Sequence, residues 1–206
     1  MALVLRFSPS SPYARKVRVA AHERGLTGRF REIASNPWAA PDDLKALNPL
    51  GKIPTLVTED GLALYDSAVI CEYLDTLGDA PRLFPPEGRA RWLALRAQSL
   101  GDGVMDAAVL WRVEITQRKE QGPTPGWVER QQGAIVRALD ALEREPPALA
   151  APPDIGAIAI ACALGYLDFR FGFLNWREGR PRLAEWHAAF AQRPSMIATR
   201  AKDSTG

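Results

Sequence analysis

Asn48-Pro49-Leu50-Gly51-Lys52-Ile53-Pro54-Thr55-Leu56-Val57 sets a proline at the mouth of an apolar strand. Proline has no N–H to give a sheet ladder, so Pro54 belongs at the strand's first position, and the tight approach leaves the Ile53–Pro54 peptide open to cis or trans. Thr55–Thr58, Glu59-Asp60-Gly61 and Leu62–Tyr65 then read as a hairpin turning on Asp-Gly. Asp66-Ser67 follows at once, ahead of Ala68–Leu77, a helix that Ser67 can cap and Gly78 can close. Both residues either satisfy that helix end or meet a ligand there.

Upstream, Asp42–Leu47 is a short helix behind the Pro-rich loop Asn36–Pro41. Arg29–Ile33 alternates polar and apolar residues, as a half-buried strand does. Tyr13–Arg24 sets Val17, Val19, Ala20 and Ala21 among Arg15, Lys16, Arg18, Glu23 and Arg24, a one-sided helix that stops at Gly25. Before it, the apolar strand Leu3–Phe7 runs into Ser8-Pro9-Ser10-Ser11-Pro12. Ser11 followed by Pro12 is a helix start, because the serine oxygen accepts from free N–H groups and proline gives up nothing at the first helical position. Such a helix tip also stabilises an anion, including a thiolate, although a plain cap explains the same residues. The order β-α-β-α-β-β-α predicts an α/β sheet with a parallel front half and an antiparallel hairpin at the back.

Downstream, Ala80–Pro86 breaks the pattern, and no convincing strand follows. Residues 88–119 carry Trp92, Leu93, Leu95, Leu100, Val104, Met105, Ala108, Val109 and Val113 at helical spacing, with room for a bend at Gly101-Asp102-Gly103. Gln121–Gly126 reads as a loop, Trp127–Glu143 as a helix, and Pro146–Pro153 as another break. Asp154–Phe171 is almost free of charge, which predicts a helix in the centre of a bundle. Pro181–Phe190 is a short amphipathic helix, and the tail from Ala201 is expected to be loose. Two domains result, an α/β one over residues 1–80 and an all-helical one over 87–206.

With 26 basic and 24 acidic side chains the formal charge is +2, so nothing electrostatic calls for nucleic acid or an anionic membrane. The 206 residues are 47% hydrophobic, ample for buried cores. Cys71 and Cys162 lie in apolar helical patterns and form no ligand cluster, so they are expected to be buried thiols, with no metal site. The first residues lack a secretion-signal pattern and no apolar run approaches a membrane span, so the expectation is a cytoplasmic protein.

Three features now stand in one order: a strand running into Ser-Pro at a helix start, Lys52-Ile53-Pro54-Thr55-Leu56 before a hairpin, and Asp66-Ser67 opening the next helix. With the helical half they make the chain resemble the glutathione S-transferase family over essentially its whole length. Gly101–Ala107 and Ala157–Arg170 resemble a bacterial branch of that family. The resemblance implies a thioredoxin-like N-terminal domain with a mixed four-stranded sheet and an all-helical C-terminal domain. It implies that glutathione is the co-substrate and that the chain forms a homodimer. In this family Ile53 would pair its backbone with the cysteinyl part of glutathione, with Pro54 cis. Asp66 and Ser67 would hold the γ-glutamyl group, and Lys52 either reaches the glycyl carboxylate or stays solvated.

Ser11 matches the residue that contacts the thiol, with Ser10 as its rival. The implied activity is conjugation of the glutathione thiolate to a small, largely apolar electrophile bound between the domains. A non-catalytic glutathione-binding regulatory protein of the same fold, or a glutathione-dependent peroxidase or reductase, would use the same pocket. No cysteine precedes Pro12, which argues against chemistry through a protein thiol, and Phe7 stands where other classes carry a tyrosine. Met105 and Trp111 are candidates for the cleft wall as well as for the core. Asp102 or Asp106 either reaches the partner subunit's bound γ-glutamyl ammonium or is simply solvated. Ala151-Pro152-Pro153-Asp154 keeps the family's aspartate without its hydroxyl cap, an expected loss of about 1 kcal/mol of local stability unless the prolines offset it.

Overall fold

A computed structural model describes residues 2–39, 41–118 and 122–203. The first half alternates strands and helices: β1 (Leu3–Phe7), α1 (Pro12–Glu23), β2 (Phe30–Ala34), α2 (Asp42–Leu47), β3 (Thr55–Val57), β4 (Ala63–Leu64) and α3 (Ser67–Asp75). The sheet order is β2-β1-β3-β4, with β1 parallel to β2 and both remaining pairs antiparallel. This is the thioredoxin-like arrangement. The second half is helical: α4 (Gly88–Gln117), α5 (Pro125–Arg144), α6 (Ile155–Arg170), α7 (Pro181–Phe190) and α8 (Pro194–Ala198). The sequence pattern missed α8, a helix of 5 residues too short to show a period. Ala40, Lys119–Gln121 and the last three residues of the tail lie outside the described residues.

The pattern of α6 is reflected in its burial, since Ile155–Leu164 are all buried. Its contact with α4 explains one glycine in each helix. A Cβ on Gly101 would stand 2.7 Å from the Ala159 carbonyl carbon, and one on Gly156 would stand 2.5 Å from Ala97 Cβ. α4 runs as one helix through Gly101–Gly103, where Gly101 serves close approach to α6. The cap expectation is corrected. Asp154 is itself the N-cap of α6, its Oδ1 accepting from Ala157 N–H at 2.8 Å, so the missing hydroxyl costs nothing at that point. Likewise α3 is capped by Asp66 rather than by Ser67, which is the first helical residue.

Helix α1 departs most from its sequence pattern. Arg15, Lys16 and Arg24 are buried together with Val17, Val19 and Ala20, because Arg15 and Lys16 meet the helical half and Arg24 meets the turn after α3 instead of water. Arg15 Nη2 donates to Met196 O at 3.1 Å, and Arg193 and Ser195 both bond the Glu23 carboxylate. Burial pushes the Glu23 carboxyl up, but those hydrogen bonds outweigh it and hold its pKa below the usual value. Arg24 Nη2 donates to Leu77 O at 2.5 Å and to Gly78 O at 3.1 Å. Two periodic apolar residues of α4 go the other way: Trp92 is 68% exposed and Leu93 38%.

The tail is not loose up to Asp203. Lys202 N–H donates to Pro9 O at 3.2 Å, and Arg170 Nη1 bonds Asp203 at 2.6 Å. Cys71 and Cys162 are free and buried, and burial pushes their thiols up to about 12 and about 11. Among the described residues no helix is long and apolar enough to cross a membrane, and no group of three or more His, Cys, Asp or Glu could hold a metal ion.

Candidate glutathione site

Strand direction brings the candidate residues to one end of the sheet. β1 runs toward Ser8, and its antiparallel neighbour β3 starts at that same end, with Arg6 opposite Thr55. β4 is antiparallel to β3 and so returns to it, delivering Asp66 and Ser67. The Ser8–Ser11 loop, Lys52-Ile53-Pro54 and Asp66-Ser67 therefore share one edge.

Ser11 is the N-cap of α1, extended in backbone, with Pro12 behind it. Its Oγ accepts from Ala14 N–H at 3.2 Å, which leaves the hydroxyl hydrogen to be donated elsewhere. Ser10 is differently placed: its Oγ lies 3.0 Å from Ser8 Oγ, inside the loop's own network. The Ile53–Pro54 peptide is cis, and so is Tyr65–Asp66, which no sequence signal announced. Ile53 is half-buried, Pro54 buried and Lys52 exposed. Asn48, at the start of the opening motif, holds this loop. Its buried Nδ2 donates to Lys52 O at 3.0 Å and Thr55 Oγ1 at 3.1 Å, while its Oδ1 accepts from Leu50 N–H at 3.0 Å.

Asp66 is exposed and accepts from Ala68 N–H at 2.9 Å, while Ser67 is buried. Beside them a cavity of about 420 Å³ is bounded by Ala68 and, on α4, by Leu95, Gln98, Asp102 and Asp106. Neither α4 aspartate is merely solvated. Lys16 Nζ, fully buried, bonds both oxygens of Asp102 at 2.6 and 2.7 Å. Tyr13 donates its hydroxyl to Asp106 Oδ1 at 2.5 Å. Burial raises the Asp102 pKa, Lys16 partly offsets this, and the Asp106 and Asp66 carboxylates add to the rise. Burial also raises the Tyr13 pKa, with the bond to Asp106 next in weight, so the phenol keeps its proton. Asp106 and Asp66 thus act electrostatically on Asp102, while Lys16 is the ammonium bonded to it. Met105 and Trp111 lie in the core, 0% and 4% exposed, and do not line the cleft as open side chains.

Residues 10–77 match the family model of the glutathione S-transferase N-terminal domain, and residues 125–189 that of the C-terminal domain. The chain belongs to the glutathione S-transferase family. Among its relatives in that family is the uncharacterised GST-like protein YibF of Escherichia coli K12, 33% identical over 199 residues, which cover 93% of this chain and 95% of YibF. A glutathione transferase family member from Pseudomonas fluorescens Pf-5, solved with bound glutathione, is 46% identical, with a TM-score of 0.93 over 98% of this chain and 100% of that one. The Pseudomonas structure with bound S-(propanoic acid)-glutathione gives 0.88 over the same coverage.

Proposed function

We propose that this protein is a glutathione transferase. The observation that carries the reading is the donor state of Ser11: its oxygen is satisfied by Ala14 N–H, so its hydrogen is free for an acceptor at the tip of α1. A glutathione sulfur held there gains a hydrogen bond and the positive end of a helix, both of which favour the anion. Ile53 supplies backbone pairing beside cis Pro54. Ser67 and the start of α3 suit the γ-glutamyl carboxylate, Asp66 suits its ammonium, and the charge of the exposed Lys52 suits the glycyl carboxylate. The Pseudomonas relatives with glutathione or an S-conjugate bound support the choice of ligand.

In the reaction the thiol proton leaves to solvent as glutathione binds. The thiolate then forms a carbon–sulfur bond to the electrophile, and a leaving group departs with the electron pair of the bond that breaks. Serine keeps its proton throughout and only donates a hydrogen bond. We take the two domains as residues 1–80 and 87–206, the assembly as a homodimer and the location as cytoplasmic. For the dimer, the support is apolar surface on and beside β4, α3 and α4: Leu62 (55% exposed), Val69 (47%) and Trp92. Light scattering after size exclusion tests it.

The function is tested by conjugation of glutathione to an aryl halide and, in parallel, by reduction of a peroxide and a disulfide. Turnover of the halide, reduced by Ser11→Ala, is the expected result. Glutathione binding without turnover of any of the three would contradict it and leave a binding module.

A further inference from the structure

The chain after α7 lies along α1 in reverse. Arg193 and Ser195 bond Glu23 at the far end of that helix, and Met196 O accepts from Arg15 at 3.1 Å in its first turn. Lys202 N–H then reaches Pro9 O at 3.2 Å, in the loop that carries Ser11. There Ser8 O accepts from Ser11 N–H at 3.1 Å, closing a four-residue turn whose central peptide joins Pro9 to Ser10. The closing bond alone does not fix that peptide, since the two common turn forms differ by its flip. Here it is held at both ends: Ser10 N–H donates to Ser8 Oγ at 3.4 Å, and the Pro9 carbonyl takes the Lys202 N–H. Ser11 is the next residue and the N-cap of α1, so the aim of its hydroxyl follows the form of the turn.

The tail is itself anchored one residue further on. Asp203 Oδ1 accepts from Arg170 Nη1 at 2.6 Å at the end of α6, where the guanidinium also lies 3.9 Å from the centroid of the Phe169 ring. The Asp203 side chain is 76% exposed, and an ion pair so open to water adds little to global stability. Its effect is therefore local, on the stretch of tail that meets the Ser8–Ser11 turn.

We propose that Asp203 and Arg170 are positioning residues of the transferase site: their ion pair pins the tail, Lys202 N–H pins the Pro9 carbonyl, and Ser11 is thereby aimed at the glutathione sulfur. This rests on the transferase reading, which gives Ser11 that sulfur.

Titration of the bound glutathione thiol by its ultraviolet absorbance, in the full chain saturated with glutathione, reads the aim of Ser11 in a way that unfolding does not. Asp203→Asn removes the pair and Lys202→Pro removes the N–H, and each is expected to raise the midpoint by at least about half a pH unit. Asp203→Glu and Lys202→Ala retain these contacts and are expected to titrate with the parent. All four should unfold thermally close to the parent. Either Asp203→Asn or Lys202→Pro titrating with the parent would overturn the proposal while leaving activation by Ser11 intact. So would a shift in Lys202→Ala as large as in Lys202→Pro, or a shift that comes with a general loss of thermal stability. A parent whose bound thiol titrates like free glutathione would overturn the activation itself, and this proposal with it.

Discussion

Lys16 Nζ, 0% exposed, lies 2.6 and 2.7 Å from the two carboxylate oxygens of Asp102, so an ammonium of the first helix is neutralised by the long helix of the second half. Removing one partner strands the other. Asp102→Asn is expected to cost about 3 kcal/mol in urea unfolding, toward the low end for buried pairs because Asp102 keeps 24% exposure. Lys16→Met with Asp102→Asn should cost well under the sum of the single changes. Simple additivity would show that the two charges are not coupled.

Two glycines of α4, two residues apart and so on opposite faces of the helix, should respond to alanine with opposite signs. At Gly101 the new Cβ would meet the Ala159 and Ile160 backbone at 2.7 and 2.8 Å, contacts that only movement of a helix can relieve. Gly101→Ala should therefore destabilise by about 2 kcal/mol even after the gain in helix propensity. At Gly103 nothing lies within 4 Å, and Gly103→Ala should stabilise by about 0.5–1 kcal/mol. Thermal unfolding of both variants tests the pair.

His187 is buried beside Arg177, Asp168 and the Trp176 ring. Burial lowers its pKa to about 4, with Arg177 and Arg15 pushing the same way and Asp168 and the Ala161 backbone opposing. As pH falls from about 6.5 to 4 the unfolded chain gains a proton that the folded chain refuses, so stability is full above that window and is lost through it. The loss should be of the order of 3 kcal/mol. His187→Gln should flatten it, as read from urea midpoints between pH 7 and 4. Glu23 and Asp168, whose pKa values are lowered, lose their contributions only at more acid pH, below their ordinary values near 4.

Much of the fold was legible because it rests on local rules. Pro54 at a strand start, Gly61 at φ +90° in the hairpin and the nearly uncharged α6 each announce their element within a few residues. What sequence could not reveal is what the second half does to the first. A helix with Arg15 and Lys16 reads as solvated on one side until Met196 and Asp102 are brought in from 86 or more residues away. Tyr13–Asp106, across 93 residues, is invisible for the same reason. At the site, Ser11 was legible as a cap, but its difference from Ser10 is geometric. Only the Ser8–Ser10 contact shows that one hydroxyl is turned into the loop while the other sits at the helix tip.

That difference sets the decisive measurement: the ultraviolet thiolate absorbance of bound glutathione, followed against pH in the parent, Ser11→Ala and Ser10→Ala. In the parent the thiol should titrate at least about one pH unit below the ordinary value near 8.5. Ser11→Ala should return it toward that value, and Ser10→Ala should leave it low. A bound thiol that titrates like free glutathione in the parent, or one that responds to Ser10 and not to Ser11, would contradict activation by the cap of α1.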